Sequence, residues 1–206
     1  MSVRPPSKAH PRAVELLVNG AHDLLVSTGS ATAAAFLSDW PAQSSAHRQL
    51  SPRELPVLDW LETVKRAAAP ATRSLVDRLV GVARTLTWAQ TYGPDDFGPS
   101  FLARYGWTEL IGLRGPVASS RIAAGFLLLG PGIEYPLHSH DAEELYLSLS
   151  GTARWKYDEG NWIRREPGTI IHHRSGTPHG MRTEREPLLA LYVWRGGNLA
   201  QKSRIC

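Results

Sequence analysis

Cysteine is almost absent from this chain. Cys206, the last of 206 residues, is the single example. That excludes an intramolecular disulfide and a cysteine-based zinc site, and it argues against a cysteine nucleophile. Long apolar runs are missing too. The longest, Ile122 to Gly130, falls well short of a membrane span, so no membrane partner is expected. The opening residues carry proline and charge where a secretory signal would carry an apolar core and cleavage site, which makes a cytoplasmic location the expectation. Nor is there a basic block interleaved with aromatics. The net charge of +4 is spread along the chain, and nucleic acid is not an expected partner. Internal repeats and low-complexity segments are also lacking.

What remains describes a soluble globule: 42% hydrophobic and 20% charged residues, in a chain long enough to bury a core unaided. Residues 1–105 read as helical. Ala13 to Val26 forms one amphipathic segment, and Ala31 to Trp40 a second that stops at Pro41; 42–50 is a polar connection. Ser51-Pro52-Arg53-Glu54 has the form of a capping box, followed by the apolar stripe Val57, Trp60, Leu61 and Val64. A further helix is expected over Leu75 to Leu86, closed by Tyr92-Gly93-Pro94. Trp40, Trp60 and Trp88 read as helix packing residues. Over 106–206 the period becomes extended. Glu109–Leu113, Ala123–Leu129, Glu144–Ser150, Ala153–Tyr157, Thr169–Ile171 and Leu188–Trp194 alternate with glycine and proline turns, as in an antiparallel barrel or sandwich.

One stretch organises this half, Gly132-Ile-Glu-Tyr135-Pro-Leu-His138-Ser-His140-Asp-Ala-Glu-Glu144-Leu-Tyr146, ending at Gly151 and completed by Pro178-His179. It offers three imidazoles and one carboxylate to a divalent metal, with His138 and His140 on one face of an extended strand. Neutral histidines with one glutamate leave such an ion positively charged with open positions, a catalytic arrangement. Parity separates the two glutamates: Glu144 shares its face with Tyr146, whereas Glu143 points with Leu145, Leu147 and Leu149. His172 and His173 point apart on any strand, and neither is taken as a ligand. His10, His22 and His47 read as surface or packing residues. Tyr146 is the informative side chain. A phenol is a poor base at neutral pH, but a neighbouring divalent cation favours its phenolate.

These spacings resemble the first motif of the cupin superfamily, Gly132, His138, His140, Glu144 and Gly151, with Gly160, Pro167-Gly168 and Pro178-His179 matching the second. The asparagine usual after the last histidine is replaced by Gly180-Met-Arg-Thr, which bears on ligand positioning. Within cupins the chain resembles the bacterial dimethylsulfoniopropionate (DMSP) lyases of the DddQ type. The helical N-terminal half, Tyr135-Pro-Leu-His138-Ser-His140 with Glu144-Leu-Tyr146, and Tyr192-Val-Trp194 carry that resemblance.

The resemblance implies a mainly β fold: a small antiparallel cupin barrel (106–206) preceded by an α-helical extension (1–105) packed on it. It implies one divalent ion per chain, Zn2+, Fe2+ or Mn2+, held by His140, Glu144 and His179, with His138 as a ligand or a substrate contact. Tyr146 is then the catalytic base, and Tyr135, Trp194 and Tyr192 bind the substrate. Ring faces suit a sulfonium cation, and Trp107 and Trp155 offer the same surface. The partner is a small zwitterion, and a homodimer is expected because cupins often pair. The reaction is β-elimination to acrylate and dimethyl sulfide. Rival chemistries for the same motif are a ferrous-iron dioxygenase, a small-acid or sugar isomerase, and a non-catalytic small-molecule-binding cupin.

Overall fold

The computed structural model describes residues 9–41 and 47–206, so the first five residues of the expected polar connection, 42–46, lie outside it. Helix α1 (Pro11–Ser27) starts on a histidine cap, with His10 accepting from Arg12 N, and it buries the stripe Val14, Leu17, Val18, Ala21 and Leu25. Ser30 caps α2 (Ala31–Leu37), which buries Ala33 and Phe36. A 3-10 turn (Pro56–Trp60) leads into α3 (Leu61–Arg66), and α4 (Arg73–Val82) follows. Among the described residues, no helix is long and apolar enough to cross a membrane.

Two expectations in this half are corrected. Ser51 to Glu54 caps nothing: the helical turn begins five residues later because Pro56 holds Leu55 extended, and Arg53 instead bridges Thr87. The helix expected over Leu75 to Leu86 is α4 continued by a 3-10 turn (Ala83–Thr85), so it ends one residue short. Trp88 is not a helix residue but sits in strand β1 (Trp88–Ala89), fully buried, its indole donating to Ala83 O at 2.9 Å.

The short helix α5 (Pro99–Leu102) precedes β2 (Tyr105–Gly112), β3 (Val117–Ala118), β4 (Ile122–Leu129), β5 (Glu134–Ser139) and β6 (Glu143–Ser150). Then come β7 (Ala153–Tyr157), β8 (Ile163–Arg165), β9 (Ile170–His173), β10 (His179–Thr183), β11 (Leu188–Arg195) and β12 (Arg204–Ile205). One sheet runs β1-β2-β4-β11-β6-β9 with β3 beside β2; the other runs β12-β5-β10-β7-β8. Apart from the parallel β2–β3 pair, the strands pair antiparallel. The fold is mainly β, an antiparallel cupin barrel with helices packed on one wall.

Alternation along β6 decides what faces where. Leu145, Leu147 and Leu149 point outward into a core shared with Val14, Leu17, Val64, Leu75 and Leu79 of the helices. Tyr146 points inward, among Tyr135, Trp155, Ile171, Met181 and Tyr192. Two buried hydroxyls fasten the layers: Thr72 Oγ1 donates to Leu149 O and Ser150 Oγ to Val64 O, each at 2.5 Å. Gly151, the motif's closing residue, is required on two counts. Its φ of +74° lies in the left-handed region, and a Cβ there would meet Pro187 O at 1.9 Å.

Candidate metal centre and active site

The two sheets bring their polar inner residues together at one end of the barrel. His179 pairs with His138 across β10 and β5. On the opposite wall Glu144 pairs with Trp194 across β11 and with His173 across β9, and Tyr146 with Tyr192. His140 follows directly after β5. His138, His140, Glu144 and His179 are all 1–2% exposed. Ligand atoms of His138, His140 and His179 lie within 4.8 Å of one another.

Backbone carbonyls set the orientation of each ring. His138 Nδ1 bonds Pro136 O at 2.9 Å, His140 Nδ1 bonds Ala142 O at 2.9 Å, and His179 Nδ1 bonds Thr177 O at 2.8 Å. A carbonyl only accepts, so each Nδ1 carries the proton and each Nε2 is the atom free to ligate. Glu144 Oε2 lies 3.1 Å from His140 Nε2 and 3.0 Å from His179 Nε2. Two imidazole lone pairs and a carboxylate oxygen facing one another require a positive charge among them, a proton or a metal ion. Nitrogen and oxygen donors of this kind suit zinc, iron or manganese. The residues present therefore fit a divalent ion, and His179 Nε2 has no hydrogen-bond partner among the described residues. The second carboxylate oxygen, Oε1, is fixed by the Trp194 indole at 2.5 Å.

Electrostatics follow from burial. Desolvation, with the charge of His179, pushes His138 down to about 3, and it pushes His173 down to about 2, so both are neutral ligand-type rings near pH 7. Burial opposes charge on His140 and Glu144 as well, but their mutual attraction wins: His140 is raised and Glu144 is held well below the usual carboxylate range. Burial first, then the Glu144 charge and hydrogen bond, drives the Tyr146 phenol well above 10.0.

These shifts make the metal-free protein acid-labile. Below the ordinary histidine value of 6.5 the unfolded chain protonates His138 and His173 while the folded chain does not, until about 3 and about 2. The raised His140 contributes fully below 6.5, so it offers no further compensation as pH falls. Thermal melts of chelator-treated protein should show Tm falling steadily from pH 7 to pH 5; a flat or rising Tm would contradict the neutral assignment.

A cavity of about 200 Å³ opens onto this cluster, walled by Tyr135, His138, Glu144, Tyr146, Tyr192 and Trp194. Every residue assigned to catalysis or substrate from the sequence lies on its wall; His140 and His179 sit behind it. The volume is below the ~300–1,000 Å³ of drug-sized sites and suits a small molecule.

The sequence reading left out part of this site. His173, set aside with His172, is buried against the cluster, its ring stacked on His179 at 3.9 Å and 11°. Its atoms lie within 4.8 Å of Glu144 and His179 ligand atoms. Neither of its ring nitrogens has a hydrogen-bond partner among the described residues, so Glu144, His173 and His179 form a second donor group beside the first. Trp107 lines the cavity, held by Thr91 Oγ1 at 3.0 Å, whereas Trp155 packs behind Tyr146 at 5.0 Å. The segment 199–203, leading into β12, closes the remaining wall. It carries no periodic or motif signal; long-range contacts bring it there, the β5–β12 pairing with bonds from Arg114 to Leu199 O and from Asp141 N to Gln201.

Barrel, inward histidines and buried glutamate together define a cupin with a candidate metal centre. Comparison with known proteins narrows this. Residues 29–190 match the family model for dimethylsulfoniopropionate lyase. The chain is 33% identical over 147 residues to dimethylsulfoniopropionate lyase DddQ of Ruegeria pomeroyi, covering 71% of this chain and 73% of that protein. The crystal structure of DddQ from R. pomeroyi DSS-3 superposes with a TM-score of 0.85 at 28% identity, over 95% of this chain and 97% of that one. A chain from crystal structures of the DMSP lyases RdDddP and RnDddQII gives 0.85 at 31%, over 95% and 98%. The chain belongs to the dimethylsulfoniopropionate lyase family, a family of carbon–sulfur lyases.

Proposed function

We propose that this protein is a metal-dependent DMSP lyase that cleaves dimethylsulfoniopropionate to acrylate and dimethyl sulfide by β-elimination. The observation that carries the reading is Tyr146, a cavity-wall phenol coupled to Glu144 beside the His/Glu donor set in a small aromatic-walled cavity. His140, Glu144 and His179 would hold the divalent ion (zinc, iron or manganese), with His138 completing the set from the cavity side. When bound, that ion supplies a Lewis acid for the substrate carboxylate, which acidifies the adjacent C–H.

The chain's own residues do the rest. Tyr146, as a phenolate, takes the α-proton onto its oxygen and becomes the neutral phenol. The C–H electron pair becomes the new double bond, the C–S bond breaks, and its electrons leave with neutral dimethyl sulfide. The leaving group starts as a cation, so no general acid is needed. Burial and Glu144 keep the Tyr146 phenol protonated without a metal, so its role as base belongs to the loaded protein, where the local charge is reversed. Tyr192, Trp194 and Tyr135 line the cavity and would offer aromatic surface to the sulfonium end. Their burial also excludes water.

Chelation followed by reconstitution tests metal dependence. Dimethyl sulfide release should disappear with a strong chelator and return with added zinc, iron or manganese. Full activity in rigorously metal-free protein would overturn the reading.

A further inference from the structure

Three strands end at the metal centre with a pair of consecutive polar residues: Glu143-Glu144 on β6, His172-His173 on β9 and Trp194-Arg195 on β11. One member of each pair, Glu144, His173 or Trp194, faces the barrel interior. The others meet on the reverse face. Glu143 Oε1 lies 2.7 Å from His172 Nε2, and its Oε2 accepts from Arg195 Nε at 2.6 Å. Helix α2 covers this triad. Arg195 donates to Ala35 O at 2.6 Å and lies 4.4 Å from the Phe36 ring centroid, and the same ring meets His172 edge-on at 6.0 Å. Glu143 and Arg195 are 27% exposed and His172 31%. A bridged, half-buried network with fixed geometry differs from a solvated surface pair.

We propose that Glu143, bridging His172 and Arg195 beneath helix α2, is a positioning residue for the metal centre. It ties the ends of β6, β9 and β11 together, and so sets where Glu144, His173 and Trp194 project. Each outer residue shares a peptide bond with an inner one, so a shift in the outer triad moves the inner set. The helical extension thereby acts on the site through one carboxylate. This inference rests on the metal-centre reading above and is independent of the substrate.

The test is cobalt(II) binding to the full chain, followed by visible absorption and chelator competition. Glu143→Ala should lower affinity by about 10-fold or more, within the 10–100-fold typical of residues that orient ligands, and should alter the cobalt spectrum. Glu143→Gln should restore most of both, because its amide can accept from Arg195 and donate to the other tautomer of His172. A more exposed outward pair, Arg154 of β7 with Glu184 just after β10 at 2.6 Å, provides the control: Glu184→Ala should change neither readout. If Glu143→Ala fails to fold, Arg195→Gln carries the same expectation. An alanine variant that behaves like the Glu184 control would overturn the proposal. So would a glutamine variant as weak as alanine, since the effect would then be lost charge alone. Cobalt binding by a wild type that makes no dimethyl sulfide with zinc, iron or manganese would sink the lyase reading and leave this one standing. No cobalt binding at all would remove both.

Discussion

Tyr146→Phe is expected to slow dimethyl sulfide release by about 10²–10⁴-fold, the usual worth of a positioned general base. The substitution removes one oxygen and little else. The ring is buried on the inner face of β6, against Trp155 at 5.0 Å and His173 at 6.0 Å, and phenylalanine preserves both contacts. Metal content should hold, because the histidines and Glu144 keep their own partners. Substrate affinity should change far less than turnover. Wild-type turnover in the variant would contradict Tyr146 as the base and shift the role to another group on the cavity wall, such as Tyr105, Tyr135, Tyr192 or His138.

Glu144→Gln should abolish activity and weaken zinc affinity by at least about 100-fold, the upper end of what ligand-orienting neighbours alone cost. Its two oxygens meet His140, His179 and Trp194, so the carboxylate is both the charged donor and the hub of the cluster. The amide keeps the shape and loses the charge. His140, raised by that charge, should relax downward in the variant. Competition with a chromogenic chelator measures the affinity directly. Wild-type affinity in Glu144→Gln would contradict its assignment as a ligand, and Glu143, tied to His172 and Arg195 on the reverse face, could not replace it.

Much of this site was legible in the chain because its information is periodic. Alternation alone put Tyr146 with Glu144 and the three leucines on the opposite face, and the two hydrophobic clusters divide along that line. The motif glycines mark positive φ at Gly132 and Gly151, where a side chain would be strained. Most strands read as apolar runs belong to the helix-backed sheet, Ala153–Tyr157 on the other sheet being the exception. By contrast β5 and β10 carry Pro136, His138, His179 and Gly180, and face polar ligands on one side, so no apolar run announces them.

His173 was harder to read. Two adjacent histidines on a strand must diverge, and which of them faces inward depends on the β6–β9 register, with Glu144 opposite His173. Register is a long-range property that local spacing does not encode. The capping-box reading of Ser51 to Glu54 failed for a local reason: Pro56 overrides it. The segment at 199–203 reaches the cavity through the β5–β12 pairing and the bonds from Arg114 and Asp141, which sequence periodicity cannot reveal.

Anaerobic incubation of the metal-loaded protein with DMSP tests the central claim most directly, with dimethyl sulfide and acrylate both quantified. Elimination predicts the two products in equal amounts, without oxygen, using zinc, iron or manganese. No product with any of these metals, or product formed only with oxygen uptake, would contradict it.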